Sequence, residues 1–405
     1  APDLIESAFA DLTPLVSGDA IKDYPNLANL NPRAWANTIF KAKIYAVPEG
    51  SGFGGNSDTF TGVNSPGIAM RQDFLDAVGR GQPKTADNFK QLLQALNNPS
   101  ANRYAFASFG GLPSYTVGDL ESGGFIPAVF GVPNSWKRDA SGKLVKDYET
   151  QEYKAAVGYM RDLWSAGLFH PNTPSFNPVT APTALLGGQV AMLATIWDHA
   201  GQLWGPAASI PGAKIRPMLP FSHDGGKPVY YRGVPNGGRT FIKKGSPERI
   251  KMLLRVLDFL AAPFGTQEWV LIKYGVRDVD FTLDQNGNPT LTKKGQSDTT
   301  VAWPFLMQPA SVLFNPVNSQ EYANVFHAAD EAAAAATLEN PVMGLYSAAN
   351  ASVGKTITPA FNSGITDIVL GRRPLSDLDQ LLADWRSKGG DKIRAEFEQG
   401  LAAAS

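Results

Sequence analysis

Side chains able to do covalent or metal chemistry are few and scattered in this 405-residue sequence. Cysteine is absent, which removes thiol nucleophiles, disulfide frameworks, iron–sulfur clusters and cysteine zinc sites together. The four histidines, His170, His199, His223 and His327, never fall at metal-ligand spacing. Asp198-His199 lacks a serine in an elbow context, and no G-x-S-x-G occurs. The glycine-rich stretch at 50–55 has neither the lysine nor the following helix of a phosphate cradle. Asp284-Gln-Asn-Gly-Asn288 hints at a calcium loop, but Gly287 holds its fourth position and Gly295 the place of the closing acid. A hairpin turn is expected there instead. Scattered acids neither support nor exclude a glycosidase pair. No catalytic residue, metal site or cofactor is therefore expected.

Aromatic and amide groups are better placed for chemistry, and their chemistry is binding. The segments GFGGNSDTF and GGFIPAVFGVPNSW carry Phe53, Asn56, Asp58, Phe125, Phe130, Asn134 and Trp136. Rings interleaved with amides in glycine-rich loops suit a polar, ring-shaped ligand, although each residue could equally anchor its own loop. Trp197 and Asp198 follow the small apolar run Val190-Ala-Met-Leu-Ala194. The tryptophan offers a large flat surface and the carboxylate accepts hydroxyl protons; a core tryptophan and a helix-capping aspartate are the plainer alternatives. Arg232 presents five donors in a fixed fork, or a salt-bridged structural arginine. Beside it, strand alternation leaves only one of Tyr230 and Tyr231 to face a ligand, and Tyr231 is chosen. Trp303, in VAWPF, completes the set of candidates.

The elements that must position these residues are legible in part. Lys43–Val47 reads as a strand ended by Pro48, and Arg71–Val78 as an amphipathic helix closed by Gly79. Thr85 caps a helix with Phe89, Leu92, Leu93 and Leu96 on one face. A further helix runs from Thr150 to Ala166, with Tyr153, Val157, Met160 and Trp164 on one side. Val190–Ala194 and Ile215–Leu219 read as strands, and Pro228–Ile242 as a hairpin-like stretch. Ser246 and Pro247 open a helix whose expected buried stripe is Ile250, Leu253, Leu254, Val256, Leu257 and Leu260. Phe281–Thr292 reads as a hairpin, and helices close the chain. Interleaved strands and helices give an α/β class.

Bulk properties narrow the partners. Hydrophobic residues make up 43% of the chain, enough for two cores at this length. A net charge of -1 with no basic stripe argues against nucleic acid and anionic membrane surfaces. No apolar run reaches the roughly 18 residues of a spanning helix.

Several stretches, in order, resemble bacterial extracellular solute-binding proteins of the carbohydrate class, the fold group of maltose-binding protein. They are IFKAKIYAVP, MRQDFLDAVGRGQPKTADNFKQLLQAL, GGQVAMLATIWDHAGQLW, VDFTLDQNGNPTLTKKG, NPVMGLYS and DWRSKGGDKIRAEFEQG. The likeness runs from about Phe9 to Gly400, and the later motifs are similar to a lipoprotein subgroup. It departs from the pattern where Ala42 and Asn88 stand in place of a glycine and an acid. In the family a strand–helix–strand unit and a signal, and in this subgroup a lipidated cysteine, are expected ahead of the segment that Ala10–Pro14 resembles.

The resemblance implies a two-lobed type II periplasmic-binding-protein fold with discontinuous lobes. Residues 1–62 and 233–309 would form the first lobe, and 71–232 and 313–405 the second, with hinge crossings at 63–70 and 310–312. It implies a non-enzymatic, monomeric, extracytoplasmic and lipid-anchored protein that delivers a sugar or oligosaccharide to an ABC permease. Trp197 would be its stacking tryptophan, Tyr231 and Arg232 would lie at the cleft, and Trp303 would close it. A secreted glycosidase or lyase, or a surface adhesion module, is the alternative.

Overall fold

The computed structural model describes residues 2–49, 66–108, 124–177, 179–196, 203–233, 236, 238–285, 287–299, 306 and 320–404. The chain divides into two compact units, residues 1–63 with 234–327 and residues 64–233 with 328–405. In chain order, the strands used below are β1 (Ala46–Glu49), β2 (Pro66–Arg71), β3 (Tyr104–Ser108), β4 (Val190–Ile196), β5 (Ile215–Pro217), β6 (Tyr230–Tyr231), β7 (Gly238–Phe241) and β8 (Thr337–Leu338). The helices are α1 (Ala86–Leu96), α2 (Gln151–Ser165), α3 (Pro247–Leu260) and α4 (Lys355–Val369). The last change of unit falls inside the helix Gln320–Ala335, and residues 310–312 lie outside the described residues.

The second unit is built on a four-stranded mixed sheet of order β3-β4-β2-β5. β3 runs parallel to β4, with Tyr104 opposite Val190 and Ser108 opposite Ala194. β2 runs antiparallel to β4, with Pro66 opposite Ile196 and Met70 opposite Met192. Residues 190–195 are buried without alternation, as a strand covered on both faces must be. The expected strand thus extends two residues further, and Arg71 ends β2 instead of opening a helix.

Local capping chemistry starts the helices where the sequence places it. The Thr85 hydroxyl accepts the Asn88 N–H at 3.1 Å, and Phe89, Leu92, Leu93 and Leu96 turn into the core at 3–4 residue spacing. The Thr150 hydroxyl does the same for α2, which buries Tyr153, Val157, Met160 and Leu163. Phe89 meets Phe106 of β3 edge-on at 5.7 Å, and α4 adds Phe361, Ile365 and Ile368 to the same core.

In the first unit β1 pairs antiparallel with β7, Ala46 opposite Phe241 and Glu49 opposite Gly238. Pro48 therefore sits inside a strand and does not end it; a two-stranded ribbon tolerates one missing donor. α3 starts as expected, the Ser246 hydroxyl accepting the Arg249 N–H. Its buried face is narrower than the expected stripe. Leu254 and Leu257 are buried among Leu12, Leu27, Val47 and Ile242, whereas Val256 is 50% exposed. At 3.6 residues per turn Val256 lies about 200° from Leu254, on the opposite side of the helix.

The stretch Pro228–Ile242 is not a hairpin. β6 pairs in parallel with the distant β8, and β7 with β1. Phe281–Leu283 and Pro289–Leu291 do form the expected hairpin, with the Asp284 carboxylate accepting the Asn288 N–H at 2.8 Å. No helix of the described residues is long and apolar enough to cross a membrane.

Candidate ligand-binding site

The sheet of the second unit gathers chain segments at one edge. β3 and β4 run parallel and end together at Ser108 and Ile196. β2 runs the other way and begins there, at Pro66 opposite Ile196. Residues 50–65, 109–123 and 197–202 are therefore joined covalently to a single edge, the carboxyl ends of the parallel pair. In open α/β sheets that edge is where ligands bind, because loops leaving it carry side chains while the strands hold the loop roots rigid. Phe53, Asn56, Asp58, Trp197 and Asp198 belong to these segments and lie outside the described residues, as does Trp303.

Two polar side chains at this edge escaped the sequence reading. Ser108 and Thr195 are buried at the ends of the apolar runs YAFAS and VAMLATI. A hydroxyl closing an apolar strand was the available signal.

The other six candidates, Phe125, Phe130, Asn134, Trp136, Tyr231 and Arg232, are described, and Phe130 packs against Tyr159 and His223 with ring centroids at 5.2 and 5.1 Å. Phe125 is buried in the turn of helix Phe125–Val129, its ring 5.7 Å from that of Phe221. Trp136 is buried at 2% exposure between Trp385 and Phe397, with ring centroids at 6.3 and 6.0 Å. The ammonium of Lys146, itself fully buried, lies 5.3 Å over the Trp136 ring and 3.0 Å from the Asp147 carboxylate. Trp136 sits on the hairpin Trp136–Arg138 with Leu144–Lys146, whose turn Asp139-Ala-Ser-Gly142 was a readable hairpin signal.

Tyr230 and Tyr231 are both buried, so the expected alternation does not separate them. Tyr230 packs among Ala329, Ala333 and Ala336. The Tyr231 hydroxyl donates to the Val132 carbonyl at 2.8 Å. Burial, reinforced by the Asp147 charge, pushes this phenol well above its ordinary pKa, so it remains a donor.

Arg232 is held by Thr337 of β8 and by Glu339, the residue after that strand. Its Nε lies 3.0 Å from a Glu339 carboxylate oxygen and its Nη2 donates to the Thr337 hydroxyl at 2.9 Å. Asn134, buried alongside, uses its amide nitrogen on the carbonyls of Arg232 and Leu338 at 3.0 and 2.9 Å. One side chain thus ties together the ends of β6 and β8. The salt-bridged reading of Arg232 describes this arrangement, and a ligand there would compete with Glu339.

No family model matches the chain. It is 25% identical over 406 residues to the polygalacturonan/rhamnogalacturonan-binding protein YtcQ of Bacillus subtilis, covering 96% of this chain and 76% of that protein. Lipoprotein LipO of the same organism is 21% identical, over 97% of this chain and 77% of that one. Among solved structures, the HMO-binding ABC-transporter-associated solute-binding protein of Bifidobacterium longum infantis superposes with a TM-score of 0.67 at 14% identity. That match covers 99% of this chain and 85% of the other. The chain therefore has the α/β fold of the two-domain solute-binding proteins of ABC transporters, each unit assembled from separated stretches of sequence.

Proposed function

We propose that this protein captures a sugar or oligosaccharide outside the cytoplasm and delivers it, chemically unchanged, to the permease of an ABC importer. The observation that carries this reading is that the strands begin or end at one edge, where residues 50–65, 109–123 and 197–202 are attached to them. Two of those segments bring Phe53, Asn56, Asp58, Trp197 and Asp198, a set rich in rings and neutral or acidic hydrogen-bonding groups. A pyranose ring has an apolar C–H face for an indole and a rim of hydroxyls for amides and carboxylates. The names of the relatives support the same reading: one binds a polysaccharide and one is a lipoprotein. The lipoprotein supports a lipid anchor, and the protein acts as a monomer.

Two measurements test the reading together. Thermal denaturation is followed with a panel of neutral and uronic-acid oligosaccharides, because binding to the native state raises stability by mass action. The same sugars are incubated overnight with the protein and separated by chromatography. The expected result is a raised melting temperature with at least one sugar and full recovery of that sugar. Shortened or unsaturated products, in proportion to protein added, would make the protein a carbohydrate-active enzyme.

A further inference from the structure

A hollow lies at the opposite end of the same strands. It opens beside Tyr104 and Gln189, where β3 and β4 begin, and has a volume of about 390 Å³. Six residue steps along β4 at about 3.3 Å each separate it from the Ile196 end by about 20 Å. It is lined by described residues of the second unit alone.

Its lining has a consistent chemistry. Three rings form the floor: His170 meets Tyr104 at 4.9 Å and Phe176 at 4.9 Å between centroids. Asn102, Asn172 and Gln189 bring amides to the rim, and none of these side-chain amides hydrogen-bonds to a described residue. No charged side chain lines it. The imidazole has a fixed tautomer, since its Nδ1 accepts the Asn172 N–H at 3.1 Å and leaves Nε2 to carry the hydrogen. Burial holds its pKa below the ordinary value, keeping the ring neutral near pH 7.

We propose that this hollow is a second binding site for an uncharged saccharide unit, separate from the edge that carries Trp197. Flat rings offer the C–H face of a sugar its apolar contact, and unengaged amides offer both donors and acceptors to its hydroxyls. The volume lies in the lower part of the roughly 300–1,000 Å³ spanned by small-molecule sites, enough for one or two sugar rings. Lacking a cation, the hollow gives a uronate carboxylate no partner to offset its desolvation. A polysaccharide could then be held at this end while another stretch occupies the transport site.

The imidazole reports on the hollow directly. Proton–carbon correlation spectra of the full chain with labelled histidine, assigned through His170→Gln, are followed while maltotriose, cellotriose or mannotriose is added. A saturable shift of the His170 signal is expected with at least one of these sugars, and it should persist in Trp197→Ala. Gln189 is exposed, so Gln189→Ala should fold normally and weaken the response by about three- to tenfold, the worth of one or two neutral hydrogen bonds. Removing the ring in Phe176→Ala should weaken it about tenfold or more. No saturable shift with any of the three, loss of the shift in Trp197→Ala, or an equal shift with glycerol overturns the proposal. An equal or stronger response to digalacturonate overturns the uncharged class. A raised melting temperature reports binding anywhere on the native chain, whereas the His170 signal reports the hollow alone, so the two failures are distinguished by the His170 shift and its persistence in Trp197→Ala.

Discussion

Trp136 and Trp197 are the same side chain with two different proposed roles, and truncating each asks a different question. Trp136 is buried between two other aromatic rings under a buried lysine. Trp136→Ala should cost about 3–5 kcal/mol of stability, the usual range for a core tryptophan, and urea denaturation measures it. Trp197 is the residue that follows β4 in the chain, and we propose it as a stacking platform because a strand end is where a site gains positional accuracy. Trp197→Ala should lower sugar affinity about tenfold to a hundredfold, by analogy with stacking on aromatics, with a nearly unchanged melting temperature. A large loss of stability with unchanged affinity would make it ordinary core. Asn134 is a third case, since its value lies in two donors. Asn134→Ala leaves the carbonyls of Arg232 and Leu338 short of a partner and should cost about 1–3 kcal/mol. Asn134→Asp puts a carboxylate against two carbonyl oxygens and should cost at least as much at neutral pH. Denaturant titrations of both variants decide whether this bracket carries weight.

Among the elements, the hairpin that bears Trp136 is fastened to the C-terminal helices through the carboxylates of Glu398, which accepts the Leu144 N–H at 2.9 Å, and Glu149. Glu149 accepts the Lys146 N–H at 2.8 Å, the Arg394 guanidinium at 2.6 Å, and that of Arg386. Burial pushes its pKa up, but the hydrogen bonds from Arg394, Arg386 and the Lys146 backbone outweigh burial and hold it below the ordinary value. The folded state therefore binds fewer protons here than the unfolded chain does. The stabilisation is complete above the ordinary carboxylate pKa of 4.5 and is lost as pH falls through the lowered folded value. In Glu149→Gln the melting temperature should fall near neutral pH and decline less steeply below about pH 4.5; an unchanged acid limb would remove Glu149 from the account. The Glu149 bracket joins distant residues and was not readable in the sequence, whereas helices started by local capping were. Thr85, Thr150 and Ser246 cap helices within a residue of the expected starts. Strand partnership was not readable, because nothing around Tyr230 names Thr337, more than a hundred residues away, as its neighbour. The ring-rich segment that holds Phe125 was ambiguous for a related reason. Aromatic residues in a loop have the same composition whether they face a ligand or, like Phe125, the core.

For the whole molecule, the two units should differ in how easily they open. In the second unit one continuous apolar cluster links β2, β3 and β4 to α1, α2 and α4, and reaches the C-terminal helix through Ile393 and Phe397. Among the described residues, the apolar side chains of the first unit form two smaller clusters, one around Leu12, Leu27 and Leu254 and one around Trp269, Tyr274 and Phe281. It also leaves large apolar side chains in water on α3: Met252 at 50%, Val256 at 50% and Phe259 at 42% exposure. Stabilisation scales with apolar area removed from water, so the same length of helix is held less firmly in the first unit. Local opening follows the number of buried apolar neighbours that must separate before a backbone amide meets solvent. Hydrogen exchange followed by mass spectrometry should therefore rank the peptides. Those covering Ile68–Met70, Ala105–Ala107 and Ala191–Leu193 should exchange last, and those covering Pro247–Leu260 and Gln267–Tyr274 well before them. Simultaneous exchange would mean that the two units open as one cooperative body, and the reverse order would mean that cluster size does not govern their stability.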